Sequence, residues 1–207
     1  ARGEHLLFLN NDAQLRPGAV SAELSLLDER AWVGAVGGKV VLLDGRLQEA
    51  GSIVWSDGSC TGHGRGRDPG EAEFQFRREV DFCSGAFLMV RRSLFESLDS
   101  LDTAYVPAYY EETDLCMRIR LAGHSVVYEP RVEILHYEFG SADTEQTATA
   151  LMEANRKVFV ARHAEVLAAA HRPQGTRSFE ARQRSGEQAR ILVIDDRIPV
   201  PSLRSGF

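Results

Sequence analysis

The sequence predicts an α/β fold, with a mixed but mostly parallel sheet flanked by helices, and three observations support this class. Apolar runs typical of buried strands recur at residues 6–9, 33–42 and 86–90. Segments with apolar residues at helical spacing alternate with these runs, and short turns rich in glycine or polar residues separate the two. This alternation is typical of helices packed on a largely parallel sheet.

The predicted elements of the first half rest on short local signals. A strand at residues 6–9 ends abruptly in the polar run Asn10-Asn11-Asp12. The pair Pro17-Gly18 opens a helix with apolar residues at near-helical spacing. A glycine-interrupted strand follows at residues 33–42, and the Asp44-Gly45 pair predicts a hairpin after it.

The second half adds further strands and two helices. A buried strand is predicted at residues 86–90, and Thr113 is a suitable cap for a helix over residues 114–122. Two short strands are expected between residues 125 and 135. Apolar residues at helical spacing then predict a long amphipathic helix over residues 142–171.

The chain of 207 residues is long enough for one full-sized domain, which we expect at residues 1–171. The polar segment at residues 172–189 is expected to be a linker, and residues 190–207 the start of a further domain or a disordered tail. Core-type strands next to both ends predict a piece of a longer polypeptide, and a native protein of only this length would contradict that. A truncated sheet edge would favour a homo-oligomer.

Composition restricts the classes of function. The net charge of -6 argues against a surface made for nucleic acid. Phosphorylated small molecules remain open, because a bound metal would supply positive charge. The cysteines Cys60, Cys83 and Cys116 lack metal-ligand spacing and are expected to be reduced, as in a cytoplasmic protein.

Three polar groups are expected to meet at one rim of the sheet. Asp12 follows the first strand, the acidic run Glu111-Glu112-Thr113-Asp114 precedes a helix, and His136 follows a later strand. Ligands of open α/β sheets gather at the carboxyl ends of strands. A lone carboxylate there suits a hard divalent cation that keeps positions open for phosphates. The alternative for Asp12 is a polar turn that closes the strand.

Four segments of the chain carry a family resemblance: FLNND at residues 8–12, VGGK at 36–39, SGAFLMVRR at 84–92 and YYEETDLCMR at 109–118. They resemble the family 2 glycosyltransferases, which are inverting enzymes of the GT-A fold, many of which build bacterial surface polysaccharides. The resemblance implies a partial GT-A (nucleotide-diphospho-sugar transferase) fold, because the family's opening strand-helix-strand unit is not part of this sequence. A separate segment, residues 191–199, resembles the start of a GT-B-type glycosyltransferase domain.

The resemblance implies residues that bind a metal and the donor. Asp12 and His136 would ligate a divalent metal, Mg or Mn, and Asn10 and Asn11 would lie at the ribose and diphosphate of the donor. The alternative for His136 is a plain histidine at a strand end, because histidines are common both as metal ligands and on surfaces.

The resemblance also implies a base and a pocket for the sugar and the acceptor. Glu112 falls on the position of the general base, although a charge in the first turn of a helix is the alternative reading. Further residues match or adjoin the motifs around the sugar and acceptor pocket: Ser84, Gly85, Ala86, Glu111 and Asp114.

The function implied is inverting, metal-dependent transfer of a sugar from a nucleotide-diphosphate sugar to a saccharide or lipid-linked acceptor, in surface polysaccharide synthesis. Such an enzyme would be cytoplasmic, with peripheral association at the inner membrane, and this fragment alone would be inactive because half of the nucleotide pocket is missing. The alternative is a degenerate GT-A module that binds polysaccharide or scaffolds neighbouring domains, since Glu112 stands where the family usually has aspartate.

Overall fold

A computed structural model describes residues 2–137 and 145–182 of the chain. The strand expected near residue 191 and the further domain expected at residues 190–207 lie outside the described residues. Within the expected linker, the described part contains one short helix, Ser178–Ala181.

The strands and helices of the described chain are numbered in chain order. The strands are β1 His5–Leu9, β2 Ala13–Leu15, β3 Val33–Leu42, β4 Leu47–Ala50, β5 Ser52–Val54, β6 Cys60–Gly62, β7 Arg78–Val80, β8 Phe87–Arg91 and β9 Ser125–His136. The helices are α1 Ala19–Glu29, α2 Arg92–Ser97, α3 Glu111–Leu121, α4 Glu145–Ala170 and α5 Ser178–Ala181. In the described chain, no helix is both long and apolar enough to cross a membrane.

The large sheet is mixed, as predicted, but most of its pairings are antiparallel. Its strands lie in the order β1-β8-β3-β9-β2, with β4 paired to β3 and β7 paired to β9. In the described chain, β3 and β9 pair in parallel and the other neighbours in this sheet run antiparallel. The expectation of a mostly parallel sheet is therefore wrong, because β8 inserts between β1 and β3 in the opposite direction and the Asp44-Gly45 turn makes β3 and β4 a hairpin.

The strand directions bring several strand ends to one rim of the sheet. Because β8 is antiparallel to both β1 and β3, and β9 is parallel to β3, the strands β1, β3 and β9 run in one direction. Their carboxyl ends share a rim, at which the opposed strands β4 and β8 begin. This rim carries Asp12 after β1 and His136 at the end of β9, in agreement with the sequence-based prediction.

Helices cover both faces of the large sheet and produce three layers. Neighbouring residues of a strand point to opposite faces, so Val36 of β3 packs in a cluster with Leu26 of α1. Ala35, one position earlier, packs in the cluster that contains Leu115 of α3 and Phe159 of α4. The sheet therefore has α1 on one face and α3 with α4 on the other.

Two glycines in the middle of β3 allow close packing on both of its sides. A Cβ atom on Gly38 would lie 2.3 Å from the carbonyl oxygen of Val132 in β9. A Cβ atom on Gly37 would lie 2.4 Å from the Cβ atom of Cys83, just before β8. No larger residue fits at either position unless the neighbouring chain moves.

The predicted helices are present, with changes at their ends. Both α1 and α4 lie where the periodicity predicts them, although α4 is interrupted at His163, whose backbone is not helical. Helix α3 begins at Glu111, so Tyr110 rather than Thr113 is its capping residue. Acidic residues are favoured in the first turn of a helix, which explains the earlier start. The two short strands expected between residues 125 and 135 form the single strand β9.

Candidate active site

A cleft of about 800 Å³ opens at the rim where β1, β3 and β9 end. It is lined by the ends of β1 and β9, the polar run after β1, the start of β4, the turn before β8, the first turn of α3 and the first turns of α4. The site residues predicted from the sequence line this cleft, with one exception, Asp114. The lining members of that set are Asn10, Asn11, Asp12, Ser84, Gly85, Ala86, Glu111, Glu112 and His136.

Asp12 and His136 face each other across a short gap. The Nε2 atom of His136 lies 3.2 Å from Oδ1 of Asp12 and 3.3 Å from Nδ2 of Asn10. On the other side of the ring, Nδ1 lies 2.7 Å from Oε1 of Gln48. In the tautomer that donates from Nδ1 to this oxygen, Nε2 is left free to accept a hydrogen bond from Asn10 or to bind a cation.

This pair of atoms meets the basic requirements of a cation site. Oδ1 of Asp12 is buried and accepts no hydrogen bond from the described residues. Two ligands at about 2.1 Å from one ion lie about 3 Å apart when they are neighbours in its coordination sphere, which is close to the observed 3.2 Å. Among the described residues, no group of three or more His, Cys, Asp or Glu side chains is placed to hold a metal. An ion at this pair would therefore keep several positions for ligands from other molecules.

Glu111 and Glu112 form an acidic pair in the first turn of α3 and line the cleft. The Oε2 atom of each is buried and has no hydrogen-bond partner among the described residues. Burial, together with the charges of Glu111 and Glu49, raises the pKa of Glu112 to about 8. Burial also raises the pKa of Glu111. A carboxyl group with its pKa raised toward neutral pH is suited to general acid-base chemistry.

The turn before β8 packs against the Glu112 side chain. A Cβ atom on Gly85 would lie 3.5 Å from the Cβ atom of Glu112. The backbone N–H of Ser84 donates to Oε1 of Glu49 at 2.8 Å, and the N–H of Ala86 donates to the Ser84 hydroxyl at 3.2 Å. These bonds fix the turn beside the acidic pair.

Two further residues, Gln48 and Glu49 of β4, line the cleft although the sequence reasoning missed them. Glu49 is buried, and its carboxyl group also accepts a bond from the Ser52 hydroxyl at 2.8 Å. Burial raises the pKa of Glu49. One signal for these two residues was present in the sequence. They follow the predicted Asp44-Gly45 turn, and the second strand of such a hairpin begins at the rim where β3 ends.

Asp114 does not line the cleft, which corrects its expected place in the pocket. Its fully buried carboxylate accepts bonds from Nε2 of His163 at 2.8 Å and from Nε of Arg118 at 2.6 Å. Burial acts to raise the pKa of Asp114, but these bonds outweigh it and lower the pKa. Asp114 follows Glu112 by two positions, about 200° around the helix, so it faces the core when Glu112 faces the cleft.

The tyrosines near the cleft have different surroundings. Tyr105 is buried in the main core, and the ring of Tyr110 lies 5.4 Å from that of Phe159. Tyr109 lines the cleft. The aromatic cluster therefore serves mainly for packing, with Tyr109 available to a ligand.

The cleft is lined by acidic side chains. Four carboxyl groups line it, those of Asp12, Glu49, Glu111 and Glu112. Its lining within the described chain includes no lysine and no arginine. An anionic ligand would therefore meet no positively charged side chain among the described residues of this lining.

No protein-family model matches the chain, but several bacterial proteins are similar in sequence. The chain is 30% identical over 152 residues to the uncharacterized protein y4gI of Sinorhizobium fredii, covering 71% of this chain and 17% of that protein. It is 32% identical over 149 residues to the O-antigen biosynthesis protein RfbC of Myxococcus xanthus, covering 68% and 11%. It is 29% identical over 144 residues to the N-acetylglucosaminyl-diphospho-decaprenol L-rhamnosyltransferase of Mycobacterium tuberculosis, covering 64% and 47%. The chain thus spans less than half the length of these relatives.

The fold is similar to that of a solved structure, the crystal structure of GalNAc-T7 with UDP, GalNAc and Mn²⁺. The TM-score is 0.52 at 14% identity, and the match covers 73% of this chain and 31% of that one. The mixed sheet flanked by helices is that of GT-A glycosyltransferases. The chain is therefore a glycosyltransferase-like domain with the GT-A fold, homologous to bacterial proteins that include a rhamnosyltransferase and an O-antigen biosynthesis protein.

Proposed function

We propose that the chain is the catalytic domain of an inverting glycosyltransferase, which transfers a sugar from a nucleotide-diphosphate sugar to a saccharide or lipid-linked acceptor in surface polysaccharide synthesis. The observation that supports this most is the convergence of Asp12, His136 and Glu112 on one cleft. The first two residues suit a cation that accompanies a diphosphate, and the third suits proton transfer from an acceptor.

Asp12 and His136 are the proposed ligands of a divalent cation, Mg or Mn, with Asn10 and Asn11 beside them for the donor. Such an ion, when bound, neutralises the charge of the diphosphate. The acidic lining supports this role, because without a cation it would repel the donor. GalNAc-T7, which has a similar fold, was crystallised with UDP and Mn²⁺, and this also supports the proposed cation.

Glu112 is the proposed general base, which removes the proton of the acceptor hydroxyl as that oxygen attacks the sugar carbon. Direct displacement of the diphosphate inverts the configuration of that carbon, and no protein nucleophile is needed. With a pKa of about 8, Glu112 is a stronger base than an ordinary glutamate once it has lost its proton. Gly85 leaves room beside its side chain.

The proposed acceptor is a sugar carried on a lipid diphosphate. The name of the Mycobacterium tuberculosis relative specifies an acceptor of this class. Four apolar residues along one part of the cleft suit the lipid portion: Pro107, Ala108, Leu151 and Met152. An acceptor of this kind would place the protein at the cytoplasmic face of a membrane.

A module that binds polysaccharide without catalysis is the second candidate. The observation that favours it is the pKa of Glu112 near 8, because at pH 7 most Glu112 side chains carry a proton and cannot accept one from an acceptor. Calorimetry separates the two functions. A scaffold binds oligosaccharide without Mn²⁺ and without a nucleotide.

The test of the proposed enzyme is sugar transfer by the full-length protein, with Glu112→Gln and Asp12→Ala as the variants. We expect Glu112→Gln to lower kcat by about 10²–10⁴-fold, because the amide cannot accept the hydroxyl proton. We expect Asp12→Ala to weaken the binding of UDP in the presence of Mn²⁺ by at least about tenfold, measured by calorimetry. Glu165→Gln, at an exposed position of α4, is the matched control and should keep the wild-type rate. Wild-type rates in both test variants would reject these roles.

A further inference from the structure

The loop that precedes α3 has a backbone conformation that its residues do not favour. Tyr109 and Tyr110 both have φ of +74°, in the left-handed region where bulky residues are rare. This conformation directs the chain from the cleft wall into α3, whose first residues are Glu111 and Glu112. The direction of the Glu112 side chain therefore depends on a strained segment that something else must hold.

A single side chain of α4 binds three carbonyl groups of this loop. Asn155 is buried, and its Nδ2 atom lies 3.0 Å from the carbonyl oxygen of Tyr105, 2.8 Å from that of Ala108 and 2.9 Å from that of Tyr109. An amide nitrogen supplies two protons, so the three oxygens share them. A carboxylate of the same size would repel all three oxygens.

The docking of α4 itself does not depend on this contact. Phe159 and Leu167 of α4 are fully buried in the main core, and His163 of α4 binds Asp114 in the first turn of α3. The hydrogen bonds of Asn155 can therefore serve to hold the conformation of the loop before α3. The loop residues Pro107, Ala108 and Tyr109 line the cleft beside Glu112.

We propose that Asn155 is a positioning residue, which gathers the carbonyl groups of the loop over residues 105–109 and thereby holds Glu112 at the cleft. This inference rests on the proposed role of Glu112 as base. Asn155 itself touches neither the donor nor the acceptor in this scheme, and its effect on the reaction passes through Glu112.

The test combines kinetics with hydrogen exchange on the full-length protein. We expect Asn155→Ala and the isosteric Asn155→Asp to lower kcat by 10-fold or more, with the donor KM unchanged within twofold. The Asn155→Ala change should have little further effect in a Glu112→Gln background, because the group it positions is already inactive. The neighbouring Arg156→Ala is the matched control. The hydrogen bonds of the Arg156 side chain go instead to Glu153 and to the carbonyl oxygen of Asp57, the latter at 3.1 Å.

Hydrogen exchange provides a readout that does not depend on activity. The amides of residues 105–112 should exchange faster in both Asn155 variants than in the wild type and in Arg156→Ala. Unchanged exchange, a wild-type kcat, or equal losses of kcat with and without Glu112 would overturn the proposal. So would a melting temperature far below that of the wild type, because Asn155 would then be required for the fold as a whole. A fully active Glu112→Gln protein would instead reject the proposed base.

Discussion

Glu112 shares its cleft with the carboxyl groups of Glu49 and Glu111, which face it from β4 and from its own helix. Burial and like charges both disfavour its ionised form, so it keeps a proton at pH values where an exposed glutamate has lost it. A base must be deprotonated to act. The rate of a reaction that uses Glu112 is therefore expected to rise with pH up to the pKa of this group.

Substitution of Glu49 tests this electrostatic relation. Glu49→Gln keeps an acceptor for the N–H of Ser84 and removes one negative charge near Glu112. We expect the acidic limb of the plot of kcat/KM against pH to move to lower pH, because loss of a like charge lowers the pKa of Glu112. Glu165→Gln should leave that limb in place. A limb that does not move in Glu49→Gln would contradict the relation.

The sequence was informative about site residues that follow or precede a regular element. The position of Asp12 and His136 at one rim could be predicted, because Asp12 follows one strand and His136 ends another, and the ends of strands that run in one direction share a rim. Gln48 was not found, because the Asp44-Gly45 turn was used to predict the hairpin and not to place the start of the next strand at the rim. Asp114 was misplaced because its motif neighbour Glu112 suggested a common pocket, whereas two steps along a helix separate their directions by about 200°.

At the scale of the elements, β3 is the centre of the sheet and depends on its glycines. It pairs with β8 and β4 along one side and with β9 along the other. Gly38 lies against the backbone of β9, which cannot move aside as the end of a flexible side chain could. Gly38 is therefore needed for packing.

We expect Gly38→Ala to lower the free energy of unfolding by about 1–3 kcal/mol, since the added methyl group overpacks against the carbonyl group of Val132. Denaturation by urea measures this change. Gly3→Ala is a suitable control, because a Cβ atom there meets its nearest neighbour at an ordinary 3.4 Å. If the Gly38→Ala protein is as stable as the wild type, the backbone of β9 moves to make room for the methyl group and the prediction is wrong.

Elements set by local signals were predicted well, and those set by long-range pairing were not. The Asp44-Gly45 turn specifies the β3-β4 hairpin within a few residues, and periodicity specifies α1 and α4. The insertion of β8 between β1 and β3 depends on contacts between segments about 80 residues apart, such as Leu7 with Met89. No local pattern reveals such a pairing, which is why the sheet was expected to be mostly parallel.

At the scale of the whole molecule, the core contains a carboxyl group without a partner. Glu23 of α1 is fully buried, and neither of its carboxyl oxygens has a hydrogen-bond partner among the described residues. Burial raises its pKa to about 9. The folded protein therefore holds a proton on Glu23 at neutral pH, and the unfolded chain, with an ordinary glutamate pKa near 4.5, does not.

This proton makes the stability depend on pH in a defined direction. Because the folded state binds one proton more than the unfolded state, the free energy of unfolding falls as pH rises from about 4.5 to about 9. The slope from this group is about 1.4 kcal/mol per pH unit. We expect Glu23→Gln to remove this contribution, so that its stability relative to wild type increases steadily with pH in urea titrations. A difference that is the same at pH 5 and pH 8 would contradict a buried, protonated Glu23.

Helix α4 contacts both the cleft and the loop that precedes Glu112. Leu151 and Met152 face the cleft, and Asn155, one turn later, binds the loop ahead of Glu112. The cleft wall that a ligand would contact and the hydrogen bonds that hold the loop before α3 thus come from neighbouring turns of one helix. A substitution that shifts this part of α4 is therefore expected to change ligand binding and the orientation of Glu112 together, even though it touches neither.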